Sequence, residues 1–441
     1  MRLRDHPLFR VFRNRDYAYY TIGNTISLIG LWVQRLAIGW LTWELTGSGA
    51  WLGAVAFADL FPALVIGPFA GVLADRFDRT RILHVTQFVS LLQALALWAL
   101  YETGHVNIHI VFALTLGLGV NAAITQPARL SLIPQLVRKD DLNTALALNS
   151  VLFNSARFVG PVVAGLIMTV SDLGMTFLFN AFAYLAMVLT LFRVRATPPR
   201  ATVGHGTRLP TAGEPATADQ DRSVLGDLAQ GVAYSARHAA IRALMLIVAA
   251  MAILAKPIAD LLPGFAGAVF GNGQAGLVQM TSVMGAGAIL GGMWLAQRAT
   301  VQGLPRIAVT ALAVAGVMVA AFSLSPSYHA ALPLLFVASG AMSVVGTTTQ
   351  TLVQHVVDED KRGRVIALWG LIFRGAPALG VLAMGVLSEW LGMRTPVLAA
   401  ALLCLACAAW ALRWRGGIDS ALRTHARSGD SVTPDAGTIR P

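Results

Sequence analysis

Six ionisable residues lie deep inside long apolar runs of this chain: Arg35, Asp59, Arg157, Lys256, Asp260 and Arg374. Their types limit the chemistry they could do. A carboxylate such as Asp59 or Asp260 can take up and release a proton, and a guanidinium or ammonium can hold an anion or neutralise an acid. Lys256 and Asp260 stand four residues apart in the stretch ILAKPIADLLP, so on a regular helix they share a face and can neutralise one another. Pro257 lies between them and Pro263 follows, neither with a backbone N–H to donate, which predicts a kinked or broken helix around the pair. No nucleophile-and-base arrangement and no nucleotide-binding P-loop occurs, so these charges do not describe an enzyme or an ATPase.

The apolar runs that must position these groups read as membrane spans. Of 441 residues, 56% are hydrophobic and 12% charged, and a crossing helix needs about 20 consecutive apolar residues. Twelve such runs occur, at 17–43, 50–73, 82–102, 106–128, 145–170, 174–193, 241–269, 274–296, 305–325, 331–354, 364–390 and 395–415. The fold class this predicts is an all-α membrane protein of twelve transmembrane helices. Between the sixth and seventh runs, 197–222 has the composition of a flexible linker, and 223–240 reads as an amphipathic helix lying along the membrane surface. The expected organisation is a first half over 1–195, a linker with its helix over 196–240, a second half over 241–415 and a disordered tail over 416–441.

Charge placement fixes the expected topology. All but five of the 33 Lys and Arg fall outside the spans on one side; the exceptions are Arg35, Arg157, Lys256 and Arg374 within spans and Arg394 opposite. By the positive-inside rule both termini and the linker are cytoplasmic, in a protein of the cell's inner membrane. The net charge of +11 then reflects topology and contact with the lipid bilayer's anionic headgroups, not a nucleic-acid partner. The opening MRLRDHPLFRVFRNRDY is a cytoplasmic lead-in and not a removable signal.

Sliding the chain by 220 residues sets Phe153, Ala156, Gly160 and Gly165 over Phe373, Ala376, Gly380 and Gly385, and by 222 sets Leu73, Ala74 and Arg76 over Leu295, Ala296 and Arg298. Two six-helix halves built on one plan are therefore expected, with a solute site between them near the bilayer midplane.

The loop after the second run reads Gly71-Val-Leu-Ala-Asp75-Arg76-Phe-Asp78-Arg79-Thr-Arg81. It resembles the cytoplasmic loop motif of the major facilitator superfamily. Gly160-Pro161-Val-Val-Ala164-Gly165 in span 5 resembles the Gly-Pro motif of that superfamily's antiporters, with Ala164 where a second glycine is usual. LIPQLVRKDDLNTALAL and GRVIALWGLIFRGAPALG extend the likeness toward the branch of the enterobactin exporter and macrolide efflux proteins, over residues 8 to 415.

The resemblance implies a monomeric secondary transporter with two pseudo-symmetric halves, alternating access and no cofactor or metal. It would export a small-molecule solute, a drug, siderophore or amphiphilic metabolite, by exchange with protons. It also implies that spans 1, 4, 7 and 10 line the cavity, and that Asp75 helps latch the outward-facing state. Gly71, lacking a side chain, would let a neighbouring helix approach closely. Two alternatives remain open at this point: transport without proton coupling, and a non-transporting sensor or scaffold that keeps the fold.

Within this frame Arg157 and Arg374, one per half, are expected to face an anionic part of the solute, or else to bond backbone carbonyls. Arg35 and Asp59 are expected to form a structural ion pair. Asp59 and Asp260 are the two carboxylates placed to carry protons. Span 4 departs from the proton-antiporter pattern, having no arginine before Arg129 at its end; this puts proton coupling in doubt or moves the role to Arg157. Asn24, Gln34, Asn121, Asn154 and Gln279 could contact solute or tie helices together. Cys404 and Cys407 have redox spacing but read as small residues of an apolar span.

Overall fold

The computed structural model describes residues 10–194, 224–298, 303–358 and 361–430. Among these, twelve helices are long and apolar enough to cross a membrane. In chain order spans 1 to 6 are Arg15–Thr46, Gly49–Arg76, Arg79–Glu102, Ile108–Leu136, Leu142–Val170 and Leu173–Leu191. Spans 7 to 12 are Ala239–Val269, Gly273–Ala296, Leu304–Leu324, Tyr328–Val356, Arg362–Leu391 and Arg394–Arg413.

Local sequence sets where several spans begin. Asn14, Ser48, Asp78, Asn107, Asp172 and Ser327 each stand one residue before a span and accept a hydrogen bond from a first-turn N–H, satisfying donors that a helix start leaves free. Spans 1 and 2 are joined by Gly47 and Ser48 alone. Gly47 takes φ 58°, a left-handed conformation that a side chain would strain.

Span 1 packs on spans 5 and 6, span 2 on span 4 and span 3 on span 6, while spans 8, 9, 10 and 12 pack together in the second half. The halves meet where span 2 runs along span 11 and span 5 along span 8. The repeat offsets equate span 2 with span 8 and span 5 with span 11, so the two seams are one contact repeated about a pseudo-two-fold axis. Inside the first half, Gln34 donates to Gln93 at 2.8 Å and accepts from Asn180, a buried amide chain joining spans 1, 3 and 6. Asn121 donates to the Thr86 carbonyl and the Ser90 hydroxyl of span 3. These amides therefore hold helices together.

Several expectations require correction. Span 4 continues to Leu136, so Arg129 is a buried interior residue of that helix, not its end. Of the tail expected to be disordered, 416–430 continue the last helix and 431–441 lie outside the described residues; extending an existing helix adds a hydrogen bond per residue without a new nucleus. The amphipathic helix, Val224–Arg237, packs on span 11. There the Tyr234 hydroxyl donates to Asp358 at 2.8 Å and Gly231 lies beside Arg364. The expected linker at 197–222 lies outside the described residues.

Span 7 is broken, as its prolines predict, and the break has a definite form. A π-turn over Met251–Ala255 closes with the Lys256 N–H on the Met251 carbonyl at 2.9 Å, and a second spans Phe265–Val269. Between them the chain tightens: Ala259 donates to Lys256 and Asp260 to Pro257, both three residues back.

Candidate functional site

Spans 1, 2, 4, 5, 7 and 8 converge on a cavity that, with its open mouth, holds about 1010 Å³. Leu36, Ile38, Leu52, Val55, Leu118, Leu277 and Met284 make apolar walls, and Arg35, Asp59, Arg157 and Asp260 place charge among them. Four of the six intramembrane ionisable residues therefore reach one space. An apolar chamber with a few convergent polar groups is the usual form of a small-molecule site.

Arg35 Nη2 and Asp59 Oδ2 are 2.7 Å apart, the ion pair that the sequence suggests. Trp32, one turn before Arg35, has the Arg35 guanidinium carbon 5.1 Å from its ring centre and that of Arg157 at 5.5 Å. Two cations thus share one indole, each attracted by the ring's electron density. Gly160 allows this arrangement, because a Cβ there would collide with the Trp32 Cβ. Gly165 makes the corresponding close contact with Val278 of span 8, and Pro161 lines the cavity. The Gly-Pro motif thus docks span 5 onto span 1 on one side and span 8 on the other.

Asp260 enters the cavity differently. Among the described residues it has no ion-pair partner, although Arg35, Asp59, Lys256 and Arg157 all lie within electrostatic range. The expected pairing with Lys256 is not formed. Residues four apart on a regular α-helix stand about 40° apart around its axis, but the three-residue closure at 256–260 turns them about 120° apart. Lys256 points instead to span 11, where its ammonium donates to the Phe373 carbonyl at 2.9 Å. Arg374 is not among the residues that line this cavity with Arg157. Gly375 is the residue of span 11 that faces Leu64 of span 2, and one residue earlier along a helix is turned about 100° away.

In the last turns of span 2, nothing among the described residues lies within 4 Å of where a Gly71 Cβ would stand, so the expected close helix approach is not found among them. The span 2 to span 11 seam is tight elsewhere, at Gly49, Gly53 and Leu64 against Ser388, Gly385 and Gly375. Asp75 and Arg76 end the helix of span 2, and their side chains lie outside the described set. Asp78 caps span 3 by accepting from Thr80 and Arg81, and Arg79 meets the Gln135 amide oxygen at the end of span 4.

Sequence reasoning missed two residues that the structure singles out. Trp32 was detectable by its spacing from Arg35, three residues apart on one helix face. Glu389 accepts hydrogen bonds from Ser48 and Ala50 across the interface between the halves, and nothing local in the sequence marks it.

Two six-helix halves around a charged, apolar-walled cavity define a membrane transporter of the major facilitator class. The same fold occurs in a solved bacterial homologue of the human lysosomal transporter Spinster, captured inward-facing and unoccupied. That likeness has a TM-score of 0.66 at 14% identity, covering 94% of this chain and 98% of that one. The chain belongs to the transmembrane secretion effector family of the major facilitator superfamily, whose model matches residues 8–420. Among its relatives are the staphyloferrin A transporter of Staphylococcus aureus, 28% identical over 39% of this chain and 43% of that one. Macrolide efflux protein A of Streptococcus pyogenes is 22% identical over 87% of this chain and 92% of its own length. The protein is thus an integral membrane transporter of small molecules and not an enzyme.

Proposed function

We propose that this transporter exports an amphiphilic solute by alternating access in exchange for protons, with Asp260 as the proton-carrying group. The observation that carries the reading is the contrast between the two cavity carboxylates. Asp59 is engaged by Arg35 at 2.7 Å, whereas Asp260 faces the same cavity with no ion-pair partner among the described residues. A carboxylate already engaged by a guanidinium is occupied, whereas one without such a partner is left free to change partners during a cycle. The apolar walls suit the body of an amphiphile, and Arg157, which shares Trp32 with Arg35, suits a polar or anionic end. Efflux among the relatives supports the direction, one of them being a macrolide efflux protein.

The face bearing the basic loops lies toward the cytoplasm in this reading, in the inner membrane, with the monomer as the working unit; the positive-inside rule supports that orientation. The tight seam at Gly49 and Ser388 then lies at the external end. The test is accumulation of macrolides, siderophores and cationic dyes in cells carrying the parent, Asp260→Asn or Asp59→Asn, with the proton gradient intact or collapsed. Protein-dependent export that loses its gradient dependence in Asp260→Asn supports the proposal. Gradient-driven export that survives Asp260→Asn but not Asp59→Asn moves the proton to Asp59, and export indifferent to the gradient removes coupling altogether.

A further inference from the structure

Lys256 and the prolines of spans 7 and 11 form a reciprocal arrangement. Pro377 stands four residues after Phe373 in span 11 and has no N–H, so the Phe373 carbonyl lacks its helical donor. The Lys256 ammonium donates to that carbonyl at 2.9 Å and sits 4.4 Å from the centre of the Phe373 ring. The ring stacks on Trp369 at 4.9 Å and 12°, and Trp369 Nε1 donates onward to Thr349 at 3.2 Å. In the opposite direction, Pro257 cannot donate to the Ile253 carbonyl in span 7. Gly380 of span 11 lies against that carbonyl so closely that a Cβ would collide with it. Each helix therefore meets the other at the carbonyl its proline leaves without the usual donor.

We propose that Lys256 is a positioning residue for transport, whose ammonium replaces the N–H that Pro377 lacks and ties the break in span 7 to the kink in span 11. A carbonyl left without a donor inside a membrane protein is unfavourable, and a charged donor forms the stronger kind of hydrogen bond. The tie holds Ile258–Gly264, the segment that carries Asp260 into the cavity, against the middle of span 11. Lys256 then owes its place in the membrane to a backbone oxygen, and it binds neither solute nor proton. This holds whether or not Asp260 is the coupling group.

The test exploits the fact that Pro377→Ala returns a backbone N–H to the Phe373 carbonyl. Full-length protein carrying Thr281→Cys, a cavity position, in a Cys404→Ala, Cys407→Ala background is labelled with a membrane-impermeant maleimide, and its thermal midpoint is measured. Lys256→Met is expected to change the labelling rate at least about threefold and to lower the midpoint, consistent with loss of a charge-assisted hydrogen bond. Lys256→Met combined with Pro377→Ala is expected to recover the labelling rate of Pro377→Ala alone. Independent, additive effects of the two substitutions would overturn the proposal, as would a Lys256→Met protein indistinguishable from the parent. If Lys256→Met alone is not recovered from membranes, recovery of folded protein from the double variant supports the proposal and failure to recover it is a refutation.

Discussion

Glu389, near the end of span 11, accepts a hydrogen bond from the Ser48 hydroxyl at 2.7 Å, so an acid from the second half caps a helix of the first. The same carboxylate oxygen accepts the Ala50 N–H at 3.0 Å, while the Ser48 hydroxyl also accepts from Trp51 at 3.1 Å. A negative charge at the first turn of a helix satisfies free N–H groups and opposes the helix dipole favourably. The family resemblance directs attention to a latch near Asp75, yet this contact joins the halves at the opposite end of the same helix.

Glu389→Ala should therefore loosen that end. We expect a stability loss of about 1 kcal/mol, the typical value of a helix-capping contact. In oriented vesicles, Thr42→Cys in the cavity should become more accessible to an impermeant reagent added on the Glu389 side. An unchanged ratio of labelling from the two sides would mean that glycine packing alone holds the closure.

Gly53→Val tests that packing directly. A Cβ at this position would stand 2.7 Å from the Val381 carbonyl oxygen and 3.2 Å from the Gly385 Cα, both backbone atoms that cannot swing aside. The variant should hold the seam apart and favour the conformation open at that end. Cross-linking between cysteines introduced at Gly49 and Ser388 measures this, and undiminished cross-linking would show that the seam absorbs the extra volume.

The Arg35 and Asp59 pair should behave as a unit. Its side chains are 33% and 15% exposed, so water softens both the attraction and the penalty for losing it. Asp59→Ala alone should lower stability by about 1–3 kcal/mol through the uncompensated guanidinium, and Arg35→Ala with Asp59→Ala should restore part of that loss. A thermal double-mutant cycle reads the coupling, and strict additivity would mean the contact contributes nothing to the fold.

Asp78→Ala should lower the thermal midpoint without changing cavity labelling from either side. Asp78 accepts the Thr80 and Arg81 N–H groups at 2.8 and 3.0 Å, and loss of such a cap costs about 1 kcal/mol. A shift in two-sided labelling instead would give this aspartate a part in the conformational exchange.

The sequence made legible whatever depends on composition and regular helical geometry. Long apolar runs placed the spans, and comparable depth on consecutive helices paired Arg35 with Asp59. It failed where neighbours override the regular period. The i,i+4 rule puts Lys256 beside Asp260 only on an unbroken α-helix, and the turns around Pro257 replace that geometry. Depth alone does not fix the direction of Arg374, whereas the contact between Gly375 and Leu64 fixes which face of span 11 packs on span 2. Glu389 meets Ser48 across 341 residues of chain, a separation at which no local pattern operates.

The two π-turns of span 7 bear on which way its charge faces. A turn closed five residues back holds one residue more than its α-helical counterpart, so each has the geometry of a single insertion into a regular helix. One extra residue rotates the remainder of the helix by about 100°. The extra residue in the turn at Met251–Ala255 lies upstream of Asp260, so it helps set the direction in which that carboxylate leaves the helix. Deleting one residue within Met251–Ala255 would reverse that rotation, leaving the composition of the span almost unchanged while withdrawing its charge from the chamber.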